Sequence, residues 1–144
     1  MKKQKLMKWA LPALLLSAMT FELLPGSVIC YENTSAIRAF NFYTTEAPGM
    51  AASYLSAAGL VTAVAVVLAF AAMFSKTPLY RLTGWFSLAA AALAAMPYVQ
   101  LSENAVVQPN VVILLLLMGA WLMAMLLQKK KDDKKEEQNI GRRL

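Results

Sequence analysis

The chain has 144 residues, of which 59% are hydrophobic and only 15% charged, and its formal net charge is +6. Soluble domains carry about 25% charged residues, and a chain of this size cannot bury so much apolar surface in one core. The sequence has no histidine and a single cysteine, Cys30. This composition excludes His-based catalysis, the usual zinc ligand sets and an intrachain disulfide, and it predicts an all-α, polytopic membrane protein.

The first apolar segment, residues 6–24, is predicted to be a membrane-spanning helix. A helix rises about 1.5 Å per residue and the hydrocarbon core is about 30 Å thick, so these residues suffice to cross it. Pro25-Gly26 is predicted to end the helix, because this dipeptide strongly favours a turn. The alternative is a cleaved signal peptide, which would leave three spans with unchanged sidedness.

Glu22, near the end of this segment, is the first candidate functional residue. If the span begins at Trp9, the carboxylate lies in the hydrocarbon, where a charged side chain is costly and usually functional. If the span begins near Leu6, with Lys8 extending back to the interface, Glu22 lies in the last turn. The Pro-Gly break favours this second alternative. The carboxylate would then meet headgroups, water or Arg38, the second candidate functional residue.

An external loop, residues 31–48, follows the first segment and contains an aromatic stretch over residues 37–43. So many aromatic side chains are unusual for an unstructured linker. We expect this stretch to lie along the outer headgroups or to cap the helix bundle.

The sequence Glu22-Leu-Leu-Pro-Gly26, followed by Phe42-Tyr43-Thr44, Ala47-Pro-Gly49 and a span rich in small residues, resembles a family of small four-span bacterial integral membrane proteins. The resemblance covers the first half of the chain and the overall topology. It implies a bacterial plasma membrane and four spans, and it implies neither an activity nor functional residues. The chain is also similar to small multidrug transporters in having a glutamate in the first of four helices, but the loops of those transporters are all short.

Two further spans are predicted over residues 51–74 and 79–99, and both are rich in small residues. Small side chains four positions apart allow two helix backbones to approach closely in lipid. We expect these residues to pack the second helix against the third within one chain; the alternative is a dimer interface or a transport seam. The candidate packing residues are Gly59, Ala63, Gly84, Ser87, Ala91 and Ala95.

The fourth span is predicted over residues 109–128, with Asn110 near its start. Its strictly apolar part is short, so Val106 and Val107 or a snorkelling Lys129 would have to complete the crossing. The charged residues 129–144 are predicted to form a solvated cytoplasmic tail that touches anionic headgroups. A docking site for a cytoplasmic partner is the alternative interpretation of this tail.

The basic residues are distributed on one side of this topology. Thirteen of the fourteen Lys and Arg residues lie before or near the start of the first span, near the connection between the second and third, or after the fourth. The remaining one, Arg38, lies in the external loop. The positive-inside rule therefore predicts that both termini lie in the cytoplasm, on the inner side of the plasma membrane that the resemblance implies. The same distribution accounts for the net charge without nucleic-acid binding.

The sequence offers no convergent polar site for catalysis, so we expect no enzyme activity, no cofactor and no metal centre. It is predicted to be a non-enzymatic accessory or structural membrane protein that acts through partner proteins in the lipid bilayer. One alternative is a subunit of a small homo-oligomeric transporter or channel, with Glu22 as the coupling carboxylate. Another is sensing or regulation through the external loop.

Overall fold

The computed structural model describes residues 2–32, 37–43, 50–75, 79–99 and 105–144. In chain order the elements are α1 (Lys2–Leu23), β1 (Val28–Glu32), β2 (Ile37–Phe40), α2 (Ala51–Phe74), α3 (Leu79–Val99), β3 (Ala105–Pro109) and α4 (Val111–Arg143). All four helices are long and apolar enough to cross a membrane. The prediction of four helices of membrane-spanning length is therefore confirmed.

The helices form a closed bundle in which α1 and α3 each pack against both α2 and α4. Small and aliphatic side chains fill the interior, and on α1 the buried residues Leu11, Leu15 and Ala18 recur every three or four positions. Other large apolar side chains point outward, among them Leu60, Val67 and Leu115. An apolar outer surface of this kind is what lipid requires of a spanning bundle.

The strands form one antiparallel sheet in the order β2-β1-β3. Cys30 in the central strand lies opposite Arg38 on one side and Val107 on the other. Val28, Cys30 and Val107 are buried whereas Tyr31 and Val106 are exposed, as expected for a strand with one face on the core. We call the end of the bundle that carries this sheet the sheet end, and the end that carries both chain termini the tail end.

The sheet is the main departure from the predicted all-α class, which describes the helices but not the connections between them. Val106 and Val107 belong to β3 and do not extend the fourth helix. That helix begins at Val111, two residues later than predicted, because the Oδ1 atom of Asn110 accepts a hydrogen bond from the Val112 N–H at 2.9 Å.

The charged tail is also more ordered than the sequence suggests, since α4 continues without a break to Arg143. Lysine and glutamate are good helix formers, so the end of the apolar run is no reason for the helix to stop. A hydrogen bond from Gln128 Nε2 to Asp132 Oδ1, 2.9 Å long, supports the helix at this boundary. From Asp132 onward the residues are exposed, as predicted for a solvated tail.

Candidate functional site

Glu22 lies in the last turn of α1, and no part of its surface is exposed. It follows Leu11, Leu15 and Ala18 along the same helix face, so the face that packs into the bundle also carries the carboxylate inward. Pro25-Gly26 then reverses the chain into β1, and Gly26 adopts a φ of 92° that favours glycine. A carboxyl group is thus buried beneath the sheet.

Two hydroxyl groups face this carboxylate. The Oγ1 atom of Thr62, on α2, lies 2.8 Å from Glu22 Oε1. The hydroxyl of Tyr43, in the segment after β2, lies 3.4 Å from Glu22 Oε2. Glu22 therefore joins α1, α2 and the post-β2 segment through side-chain hydrogen bonds.

Each hydroxyl also has a backbone acceptor, which gives the site two ways to satisfy its hydrogen bonds. Thr62 Oγ1 lies 2.9 Å from the Ala58 carbonyl oxygen, and the Tyr43 hydroxyl lies 3.1 Å from that of Gly59. Because a hydroxyl has one proton, both hydroxyls donate to Glu22 when the carboxylate is ionised. When it is protonated, Glu22 donates to Thr62 and the hydroxyls donate to the carbonyls. The arrangement accommodates either state without moving a side chain.

Local backbone geometry fixes the position of Tyr43. The Asn41 side chain accepts a hydrogen bond from the Tyr43 N–H at 3.0 Å, and the Phe42 N–H donates to the Glu22 carbonyl at 3.0 Å. Burial, and then the neighbouring Glu22 carboxylate, raises the pKa of Tyr43 to about 12. The phenol therefore keeps its proton and acts as a hydrogen-bond donor.

The expected surroundings of Glu22 are wrong in one respect. The carboxylate is at the end of the helix, as the Pro-Gly break indicates, but it meets protein hydroxyls in place of headgroups or water. Arg38 lies on the exposed part of β2, opposite Cys30, and the contacts that define the site are those with Thr62 and Tyr43. The reason is that the sheet covers the end of the bundle.

The candidate packing residues serve more than the contact between α2 and α3. A Cβ atom on Gly59 would lie 2.8 Å from the Tyr43 ring, so this glycine makes room for the phenol. A Cβ atom on Gly84 would lie 2.8 Å from Met125 Cε, so this glycine allows α4 to approach closely. For both glycines the group that an added Cβ would meet first therefore lies outside α2 and α3, and their part in the α2–α3 contact stays a prediction.

The other four candidates lie on α2 and α3 with mixed burial. Ser87 and Ala91 are buried, and Ser87 Oγ donates to the Thr83 carbonyl at 2.9 Å. Ala63 and Ala95 are half-buried. The alternatives of a dimer interface and a transport seam stay predictions.

Thr62 and Tyr43 were not singled out as partners of Glu22 from the sequence, although each gives a signal. Thr62 is a polar residue in the otherwise apolar stretch 57–74 of α2, where a polar side chain needs a hydrogen-bond partner. Tyr43 ends the aromatic stretch that was expected to cap the bundle. Neither signal identifies Glu22, because contacts across 40 and 21 residues depend on the tertiary fold.

Comparison with known proteins adds no assignment to this geometry. Among the described residues, no group of three or more His, Cys, Asp or Glu side chains could hold a metal ion. No protein-family model, curated protein or solved structure matches the chain. The resemblance to small four-span bacterial membrane proteins stays a prediction. Its Thr44 to Gly49 part lies outside the described residues. Function therefore has to be inferred from the residues themselves.

Proposed function

We propose that the chain is a non-enzymatic integral protein of the plasma membrane that acts through partner proteins, with four spans and both termini in the cytoplasm. Four apolar helices with an apolar outer surface support the membrane location. Support for the orientation comes from the lysines at the start of α1 and after Gln128 on α4, which share the tail end. By the positive-inside rule, that end is the cytoplasmic one.

The observation that carries the partner proposal is the extension of α4 beyond its apolar part. From Asp132 to Arg143 the helix continues for another 12 residues, roughly 18 Å, beyond the contacts of Lys130 and Lys131 with the bundle. Charged side chains lie on every side of this extension, and within the chain its residues are exposed. A helix that is polar all round and unsupported by packing is typical of one that bridges to another protein.

Site-specific photocrosslinking in native membranes tests this proposal. A photoreactive side chain at Ile140, which is 55% exposed on the extension, should form a discrete adduct with another protein. Exchanging Glu136 and Glu137 for lysine should abolish the adduct, because a charged helix recognises its partner by charge complementarity. The matched control is a photoreactive side chain at Leu60, an exposed position on α2, which should react with lipid.

The identity of the molecule crosslinked at Ile140 tests the partner proposal. Adducts only with lipid or with a second copy of the chain would contradict action through a different protein. An adduct that survives the double charge reversal would show that the charges of the extension do not recognise the partner.

A second function has one observation in its favour, namely the Glu22–Thr62–Tyr43 hydrogen-bond network, which accommodates a carboxylate or a carboxylic acid. We propose as the alternative a small homo-oligomeric transporter or channel subunit that couples through Glu22, since buried membrane carboxylates serve as proton relays. In proteoliposomes with an imposed pH gradient, wild type should then move protons, and Glu22→Gln should not. Equal, negligible fluxes in both proteins would exclude this alternative.

A further inference from the structure

A cleft of about 140 Å³ opens at the tail end of the bundle, away from Glu22. It lies between the start of α1, the end of α2, the start of α3 and the middle of α4. A single bound water needs only roughly 10–15 Å³, so the cleft has room for a larger group. Apart from Lys134, its lining residues do not belong to the helix extension on which the function proposed above rests.

Lysines from two helices converge on this cleft. Lys8 comes from α1, and α4 contributes Lys130, Lys131 and Lys134, which share one helix face. The described lining contains no Asp or Glu, and the nearest acid on that turn of α4, Asp132, accepts a hydrogen bond from Gln128. Like charges repel one another, so a bound anion would stabilise this arrangement.

The lysines are held in place by their surroundings. Lys130 Nζ lies 3.2 Å from the Met7 sulfur atom, which joins α4 to α1. Lys131 Nζ donates to the Ser75 carbonyl at 3.1 Å and lies 5.7 Å from the centre of the Tyr80 ring. Lys130 and Lys131 are therefore positioned before any ligand binds, so less side-chain entropy is lost on binding.

Tyr80 supplies an independent indication of a ligand. It is only 3% exposed and it lines the cleft, yet its hydroxyl has no hydrogen-bond partner among the described residues. A buried hydroxyl without a partner is unfavourable, so a bound group whose oxygen the hydroxyl can reach by a rotation of the side chain would satisfy it.

The position of the cleft along the bundle axis indicates which chemical group it can bind. Leu127 ends the apolar run of α4, and Lys134 follows seven residues later, roughly 10 Å along the axis. Met7, Ala72 and Leu127 form an apolar side of the same cleft. Basic pockets of this kind, between helices at the membrane boundary, bind phosphate headgroups.

We propose that this cleft binds a phosphate group, with the four lysines supplying positive charge and the Tyr80 hydroxyl donating to a phosphate oxygen. The phosphate belongs either to the headgroup of an anionic phospholipid or to a soluble phosphate compound. Both sources present the same doubly or singly charged oxygen cluster, which lysine binds as a point charge.

Native mass spectrometry of the full chain in mild detergent tests the proposal. Wild type should retain one phosphatidylglycerol more tightly than phosphatidylcholine. Replacing Lys131 and Lys134 together by glutamine should weaken this binding on the order of twentyfold, since each lysine near an anionic surface contributes appreciably. The matched control replaces Lys129 and Lys135 by glutamine. This variant loses the same charge from positions outside the lining, and its affinity should stay within about threefold of wild type.

Two further measurements complete the test. Tyr80→Phe, which keeps the ring and removes the hydroxyl, should weaken binding by about fivefold. At matched ionic strength, inorganic phosphate but not chloride should displace the lipid, and thermal stabilisation by inorganic phosphate without lipid would identify the source as soluble. Equal losses in the two double variants, an unchanged Tyr80→Phe, or no preference for phosphatidylglycerol together with no effect of inorganic phosphate would each overturn the proposal.

Discussion

The sheet end of the bundle buries Glu22 completely, whereas the tail end leaves its lysines along an open cleft. At the sheet end, the hydroxyl groups of Tyr43 and Thr62 provide the hydrogen-bond partners of the Glu22 side chain. At the tail end, the buried Tyr80 hydroxyl has no partner among the described residues, and like charges lie together. The difference indicates that the first polar cluster stabilises the fold and that the second is suited to a ligand.

If this contrast holds, substitutions at the sheet end should cost stability and those in the cleft should not. The largest effect is expected for Phe42→Ala, because Phe42 is fully buried where the chain closes over Glu22. Removing a buried aromatic side chain should lower the free energy of unfolding by about 3–5 kcal/mol. Steric trapping in mild detergent measures this quantity.

The matched control is Phe74→Ala, the same substitution at a position that is 83% exposed. It should change the free energy of unfolding by less than about 0.5 kcal/mol. Similar losses for the two variants would show that the segment after β2 does not pack as described.

The next largest effect is expected for Gly59→Ala, which tests whether the Tyr43 ring packs against Gly59. The added Cβ atom would lie 2.8 Å from the ring, so the ring must move away from Glu22 and from the Gly59 carbonyl. We expect a loss of about 1–3 kcal/mol in the free energy of unfolding.

Gly119→Ala provides its control, because a Cβ atom there meets nothing within 4 Å. In a helix interior this change should stabilise the protein by up to about 1 kcal/mol. If Gly59→Ala were also stabilising, the Tyr43 ring could not lie on this glycine.

A smaller effect is expected for Thr62→Val, which removes the hydroxyl and keeps the shape of the side chain. Glu22 Oε1 then loses its 2.8 Å partner, at an expected cost of about 1–2 kcal/mol. In a Glu22→Leu background the same change should be nearly neutral, since both partners are absent. Equal costs in the two backgrounds, measured by a double-mutant cycle, would rule out the contact.

The smallest effect on stability is expected for Lys134→Gln in the cleft. This residue is exposed, so the free energy of unfolding should change by less than about 0.5 kcal/mol. A loss comparable with that of Thr62→Val would mean that the cleft, too, stabilises the fold.

The spans could be predicted from the sequence because their signals are local. The length of each apolar run, Pro25-Gly26 after α1 and Asn110 before α4 each act within a few residues. The sheet could not be predicted in this way, because β1 pairs with β3 across more than 70 residues of chain. Val106 and Val107 suit either a strand or an apolar helix, and only the pairing decides between them.

The partners of Glu22 could not be predicted for the same reason. Its position near a helix end follows from the Pro-Gly break, but its burial depends on where β1, β2 and Tyr43 lie. Gly59 is similar: the sequence indicates a close approach, and only the fold shows that an aromatic ring makes it.

The central claim is that the bundle crosses a membrane, with the sheet on one side, both termini on the other and the Glu22 network sealed between them. Labelling of single cysteines by an impermeant thiol reagent, in a Cys30→Ser background, tests it directly. We expect Arg38→Cys to react in intact cells, Ile140→Cys to react only after permeabilisation, and Thr62→Cys to be protected in both conditions. Reaction of Ile140→Cys in intact cells, or ready reaction of Thr62→Cys, would contradict the claim.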